Sequence, residues 1–161
     1  MEFHHFVAGF RHALEENYTS LSKIADAEAS VRPAPGKWSG KEIIGHLIDS
    51  AIINQQRFVR AQFQHDLVFY GYDQDKFVEM QHYNELSWIS LLQMWRLLNL
   101  HIAWVMEVTP SEIRQRRIEK HSLDKIAWHA VPPEEATSLE YFMTDYVRHM
   151  KHHLAQVKRT P

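Results

Sequence analysis

The sequence predicts an all-α protein built as a four-helix bundle, and three observations carry that prediction. Four stretches of roughly 20 residues place apolar side chains at intervals of three and four, the period of an amphipathic helix. No stretch shows the sustained alternation of a half-buried strand. Glycine and proline number only 5 and 6 in 161 residues, too few for the turns of a many-stranded fold. The length suits one domain over residues 1–161, and no internal repeat or linker divides it.

The first helix is expected from Phe3 to about Asp26, on the strength of Phe6, Phe10, Ala13, Leu14, Leu21 and Ile24, with a bend near Tyr18–Ser20. Val31 to Gly36, VRPAPG, then breaks the pattern. The second helix opens on a capping box, Ser39 with Glu42 three residues later, and Trp38 and Ile43 are placed to close a hydrophobic staple. It runs to about Gln62, turning Ile43, Ile44, Leu47, Ile48, Ala51, Ile52, Phe58 and Val59 inward. Phe63 to Tyr83 is a long connection with a turn at Tyr70 to Asp75, and a link of that length serves a function or a crossover.

Asn84 is expected to cap the third helix, which Pro110 stops after Val108. Its stripe is Trp88, Leu91, Leu92, Trp95, Leu98, Ile102, Val105 and Met106, and the series Trp88, Trp95 and Trp104 reads as core. Ser111 to Ala136 is mixed: a short helix at Ser111–Arg117, then irregular chain as far as Pro132-Pro133. Thr137 and Glu140 have the spacing of a second capping box. The fourth helix follows over Tyr141 to Arg159, with Phe142, Tyr146, Met150 and Val157 along its apolar face.

Composition narrows the chemistry. Hydrophobic residues make up 45% and charged residues 24%, the balance of a soluble globular chain. A net charge of −2 gives no basic field for nucleic acid, and the short run Arg114 to Lys120 reads as a solvated helix end. There is no cysteine, so disulfides, a cysteine nucleophile, thiolate zinc sites and iron–sulfur ligation are all excluded. Any metal must sit on nitrogen and oxygen. The first ten residues, MEFHHFVAGF, lack the basic and apolar regions of a secretory signal, and no apolar run approaches the roughly 20 residues that span a bilayer. The cytoplasm is the expected location.

The candidate site lies in the fourth helix, where His149 and His153 stand four apart and so stack on one face, beside the apolar stripe. His46 lies next to the buried stripe of the second helix, seven residues past its cap. That is roughly 10 Å along the axis, and His153 lies roughly 8 Å from the far end of its own helix. The three imidazoles reach one level only if the second and fourth helices are antiparallel. A plain up-down-up-down bundle forbids that, so the second and third helices must run parallel, through a crossover that Phe63–Tyr83 is long enough to make. Three histidines with an open position form the pattern of a catalytic rather than a structural site. Zinc, nickel, iron(II) and manganese all suit it. His152 points about 100° away from His153, and Gln156 and Asp49 are candidates to orient a ligand imidazole.

Other motifs carry less. Gly36 to Glu42 imitates a phosphate-binding loop, but its glycines are one residue too close and Glu42 stands where Ser or Thr is needed. No G-x-S-x-G elbow is present. His4, His5 and His12 read as exposed, His101 as a core or surface residue, and His121 and His129 as loop residues. Tyr70, Tyr72, Asp73 and Asp75 are candidates to rim the site or to brace a turn.

Three stretches together resemble the DinB-like (YfiT-like) superfamily: Lys37 to Ser50 (KWSGKEIIGHLIDS), Tyr72-Asp73-Gln74-Asp75, and His149 to Gln156 (HMKHHLAQ). The resemblance spans essentially the whole chain. It implies an up-down-down-up bundle, the crossover required above, and a divalent metal held by His46, His149 and His153. It further implies one of several activities. The first is a transferase that joins a low-molecular-weight thiol, of the bacillithiol type, to an electrophile. The others are a metal-dependent hydrolase that activates water, or a non-catalytic stress-response module. A homodimer is compatible with it. Catalytic and cofactor-binding residues beyond the metal set are not assigned.

Overall fold

In the computed structural model, which describes residues 2–157, each of the four amphipathic stretches is a helix. They are α1 (Glu2–Leu21), α3 (Gly40–Ala61), α5 (Trp88–Val108) and α8 (Leu139–Val157). Short helices lie between them: α2 (Asp26–Ala29), α4 (Gln74–Gln81), α6 (Ser111–Arg114) and α7 (Leu123–Ile126), with a 3-10 turn at Tyr83–Glu85. The described residues hold no strand, only isolated bridges pairing Leu67 with His121 and Ile118 with Thr137. No helix among them is long and apolar enough to cross a membrane.

Contacts between the ends of the helices fix their directions. Arg11, midway along α1, bonds Glu107 near the end of α5, while Leu21 at the end of α1 accepts the indole N–H of Trp88 at the start of α5. Those two helices are antiparallel. Lys41 at the start of α3 and the backbone N–H of Trp88 at the start of α5 both reach the Asp26 carboxylate, at 2.8 and 2.7 Å, so α3 and α5 begin at the same end. Phe58, late in α3, packs edge-on against Phe142, early in α8, while His46 and His149 meet at the other end. The order is therefore up-down-down-up, with 63–83 as the crossover.

The core between them follows the apolar stripes: Phe10, Leu14, Ile44, Leu47, Ile48, Leu91, Trp95, Ile102, Phe142 and Met150 are all buried. Burial of this kind supplies most of a helix's stability in a protein of this class. Trp104 departs from the expected core and is 55% exposed. It stands nine residues beyond Trp95, and nine steps of 100° place it on the opposite side of α5. Ile52 and Val59 of α3 are likewise exposed at the edge of its stripe.

The Ser39–Glu42 capping box forms as expected: the Ser39 hydroxyl accepts the Glu42 N–H at 3.2 Å, and the Glu42 carboxylate accepts the Ser39 N–H at 2.8 Å. Five boundaries differ from expectation; one is that of α6, which ends at Arg114, three residues before the expected Arg117. The first helix stops at Leu21, five residues before Asp26, and Asp26 begins a separate turn whose side chain ties α3 to α5. The cap of α5 is Ser87, whose hydroxyl accepts the Ser90 N–H; Asn84 sits in the 3-10 turn and accepts a hydrogen bond from Ser39 instead. At α8 the cap is Ser138, accepting the Tyr141 N–H, because the Thr137 backbone is held in its bridge to Ile118 and Glu140 is drawn to Arg114. The connection at 63–83 contains a helix, α4, capped by Asp73. The expected end of the fourth helix at Arg159 lies outside the described residues.

Candidate metal centre

The capping box starts α3 at a fixed point, so His46 falls two turns in, on the face turned to α8. From α8 come His149 and His153, one turn apart. Their imidazoles converge. The Nε2 atoms of His46 and His149 are 3.3 Å apart, and one nitrogen from each of the three rings lies within 4.8 Å of the others. Two nitrogens held by one zinc-sized ion at roughly 2.0–2.1 Å and the tetrahedral angle stand about 3.3–3.4 Å apart, so the closest pair fits a shared ion. His46 is buried at 1% exposure, and His149 and His153 are half-buried.

Burial disfavours the charged imidazolium. It pulls His46 down to about 4, helped by the neighbouring His153, and pulls His149 down to about 3, helped by His153, His46 and His152. Burial also lowers His153, against the hydrogen bond that its Nδ1 donates to Gln156 Oε1. Near neutral pH the site therefore presents neutral imidazoles, the form that binds a metal.

Gln156 plays the orienting part expected of it: its Oε1 lies 2.8 Å from His153 Nδ1, which leaves the Nε2 of that ring for the centre. Asp49 does not. Its Oδ1 accepts from Gln81 Nε2 and from the Tyr83 hydroxyl, both at 2.7 Å, because α4 and the 3-10 turn bring those side chains against α3. His46 Nδ1 and Asp49 Oδ2 are both buried without a hydrogen-bond partner among the described residues. Two tryptophans flank the histidines. The Trp38 ring lies 5.1 Å from His46, and that of Trp128 lies 5.4 Å from His149 and 4.6 Å from His152. His152 is exposed, off the cluster.

The remaining candidates sort by the same geometry. His4, His5, His12 and His101 lie exposed on the helices, and His121 and His129 lie in the chain before α8. Of the suggested rim residues, Tyr72 lines the cavity above the histidines. Tyr70 turns its side chain to solvent at 97% exposure, and Asp73 is spent capping α4. Asp75 lines a separate depression beside Trp38.

That cavity, about 270 Å³, includes residues the sequence reading did not single out. Ser50, Asn54 and Arg57 continue along α3 from His46, and all four are buried polar side chains. Their spacing of four, four and three is a polar stripe at helical period, a signal legible in the sequence once polar rather than apolar residues are followed. Asp145 is the one carboxylate among the described lining residues, and it is fully engaged. It accepts the backbone N–H groups of Trp128 and His129, at 2.6 and 3.0 Å, and pairs with His129 Nδ1 at 2.8 Å. It thereby pins the Trp128 segment over the cavity.

Comparison with known proteins agrees with this architecture. No curated protein matches the chain. Among solved structures, YfiT from Bacillus subtilis, described as a probable metal-dependent hydrolase with an unusual four-helix bundle topology, superimposes with a TM-score of 0.74 at 19% identity, over 96% of this chain and 85% of that one. At that identity the likeness is one of fold. The family model of the DinB superfamily matches residues 10–157, nearly all of the described helical chain. The chain belongs to the DinB superfamily.

Proposed function

We propose that the protein is a metal-dependent transferase that joins a low-molecular-weight thiol to an electrophile, with His46, His149 and His153 holding the metal. The observation that carries this reading is the convergence of three imidazole nitrogens to within 4.8 Å beside a cavity. A divalent metal held by His46, His149 and His153 would supply Lewis acidity that lowers the pKa of a thiol or water bound to it. Zinc, nickel, iron(II) and manganese all suit the nitrogen donors. The chain's own part is to keep the imidazoles neutral by burial, to orient His153 through Gln156, and to wall the site with Trp38 and Trp128. In the transfer, sulfur forms a bond to the electrophilic carbon, the leaving group departs with its electron pair, and the thiol proton passes to solvent.

Thiol is favoured over water by the state of Asp145. Hydrolysis is helped by a general base, and the one carboxylate lining the cavity among the described residues already accepts three hydrogen bonds. A thiol, with a free pKa of about 8.5, needs far less assistance than water at about 15.7. Metal-dependent hydrolysis is the second reading, supported by the description of YfiT.

Elemental analysis of the purified protein beside a His46→Ala/His149→Ala/His153→Ala variant tests the site: one metal per chain is expected in the first and none in the second. Incubating the metal-loaded protein with a chromogenic electrophile, with and without small thiols, separates the two readings. Product release that needs no thiol and stops with chelator favours hydrolysis.

A further inference from the structure

The cavity over the histidines ends at a buried cation with no carboxylate partner among the described residues. Arg57 is 6% exposed and lines the cavity together with Ser50 and Asn54. Its guanidinium donates to Asn54 Oδ1 at 3.2 Å and to the Tyr70 carbonyl. That uses two of the five N–H bonds a guanidinium carries, leaving three. No carboxylate among the described residues pairs with it, and burial pulls Arg57 below its ordinary value, opposed by the nearby Tyr72 phenol. A buried, unpaired charge is costly, and such groups are retained where something pairs with them. Lys125, exposed at the cavity mouth, likewise has no ion-pair partner among the described residues. Asp145, the one carboxylate among the described lining residues, is already occupied by Trp128 and His129.

The placement along α3 defines a distance. Asn54 stands eight residues beyond His46, roughly 12 Å up the helix axis, on the same face. Because Arg57 folds back onto Asn54, its charge lies toward the histidines rather than away from them. The cavity, about 270 Å³, falls just below the roughly 300–1,000 Å³ of pockets that take drug-sized ligands. It suits a short, extended molecule.

We propose that Arg57 is an anion-recognition subsite, and that the molecule bound over the histidines carries a carboxylate several bonds from its reacting end. This rests on the reading of the histidine cluster as a metal centre that takes a thiol. The planar fork of arginine matches a carboxylate geometrically, which a lysine ammonium does not. Lys125 adds attraction at the entrance.

The test compares ω-mercaptocarboxylates with mercaptoalcohols of equal length, mercaptohexanoate against mercaptohexanol in the first instance. Each is titrated into the cobalt(II)-loaded protein and followed by the sulfur-to-cobalt absorption. The wild type is expected to bind the carboxylate at least about 10-fold more tightly, a difference of about 1.4 kcal/mol. Arg57→Gln is expected to erase that preference, while mercaptohexanol binding and cobalt content stay unchanged. Arg57→Lys keeps part of it. Equal affinity for the two thiols in the wild type, at every chain length tried, overturns the proposal and leaves the metal reading intact. So does a preference that survives Arg57→Gln. If cobalt or thiol fails to bind, the metal reading is the one that fails. Calorimetry of hexanoate against hexanol on the metal-free protein then decides the subsite alone. Hexanoate binding that Arg57→Gln removes supports it, and no binding ends it.

Discussion

His46, His149 and His153 are kept neutral by their surroundings, and this makes the metal-free protein sensitive to acid. In the unfolded chain each histidine titrates near the ordinary 6.5, whereas in the fold His46 resists protonation down to about 4 and His149 to about 3. Above 6.5 neither state binds these protons, and stability is at its plateau. As pH falls below 6.5 the unfolded chain takes up protons that the folded chain refuses, so stability declines until the folded pKa values are reached. The urea midpoint of metal-free protein should fall steadily from neutral pH toward pH 4. A His46→Ala/His149→Ala variant should fall less steeply over the same window. Equal slopes would show that the acid sensitivity arises elsewhere. The histidines were legible in the sequence because a pair at i and i+4 and a third beside an apolar stripe stand out from a helical pattern. Arg57 and Asn54 were not, because a search for apolar periodicity passes over polar residues that fall at the same period. Asp145 and Trp128 had no local signal at all, since their roles come from a contact between residues 17 apart in sequence, one in α8 and one in the irregular chain before it.

At the scale of elements, α3 carries the site and its geometry depends on what packs behind it. Gly45 precedes His46, and a Cβ there would land within the ring of Tyr83. That ring holds Asp49 through its hydroxyl, at 2.7 Å, and thereby docks the 3-10 turn on α3. Gly45→Ala gains helix propensity but forces Tyr83 away. Overpacking of this kind costs about 1–3 kcal/mol, and at roughly 2–4 °C per kcal/mol for a chain of this size the melting temperature should fall by about 2–12 °C. Tyr83→Ala in the same background should make Gly45→Ala nearly neutral; a full additive loss would mean the ring is not the obstacle. This arrangement was hidden in the sequence because α4 is only eight residues long, QDKFVEMQ, with Val78 its one buried side chain. One inward residue gives no period to read. The long helices were legible because three or more turns of stripe over-determine their faces. Their ends were less so: Ser138 caps α8 in place of Thr137, and no local rule shows that Arg114 will claim Glu140.

For the whole molecule, the order of the helices and the candidate site are one fact. The histidines meet only because α3 and α8 are antiparallel, and the crossover at 63–83 makes them so. His46 and His149 are 103 residues apart in sequence, so an ion between them would close a long loop and clamp α3 to α8. A ligand that binds only the folded state stabilises it by mass action, by about 2.7 kcal/mol at a free concentration 100-fold above its dissociation constant. For a chain of this length that corresponds to a rise of about 5–11 °C in melting temperature. Zinc, nickel, iron(II) and manganese should each be added to metal-free protein and melting followed by circular dichroism. At least one is expected to raise the transition by that amount, and chelator should reverse it. The triple-alanine variant at positions 46, 149 and 153 should show no rise. An equal rise in both proteins would place the binding on other histidines, such as exposed His4 or His12, and would break the link between topology and site. Arg57→Gln supplies the contrast: it removes the cation at the other end of the cavity, so its metal-induced rise should equal that of the wild type, separating the clamp from the recognition of whatever binds above it.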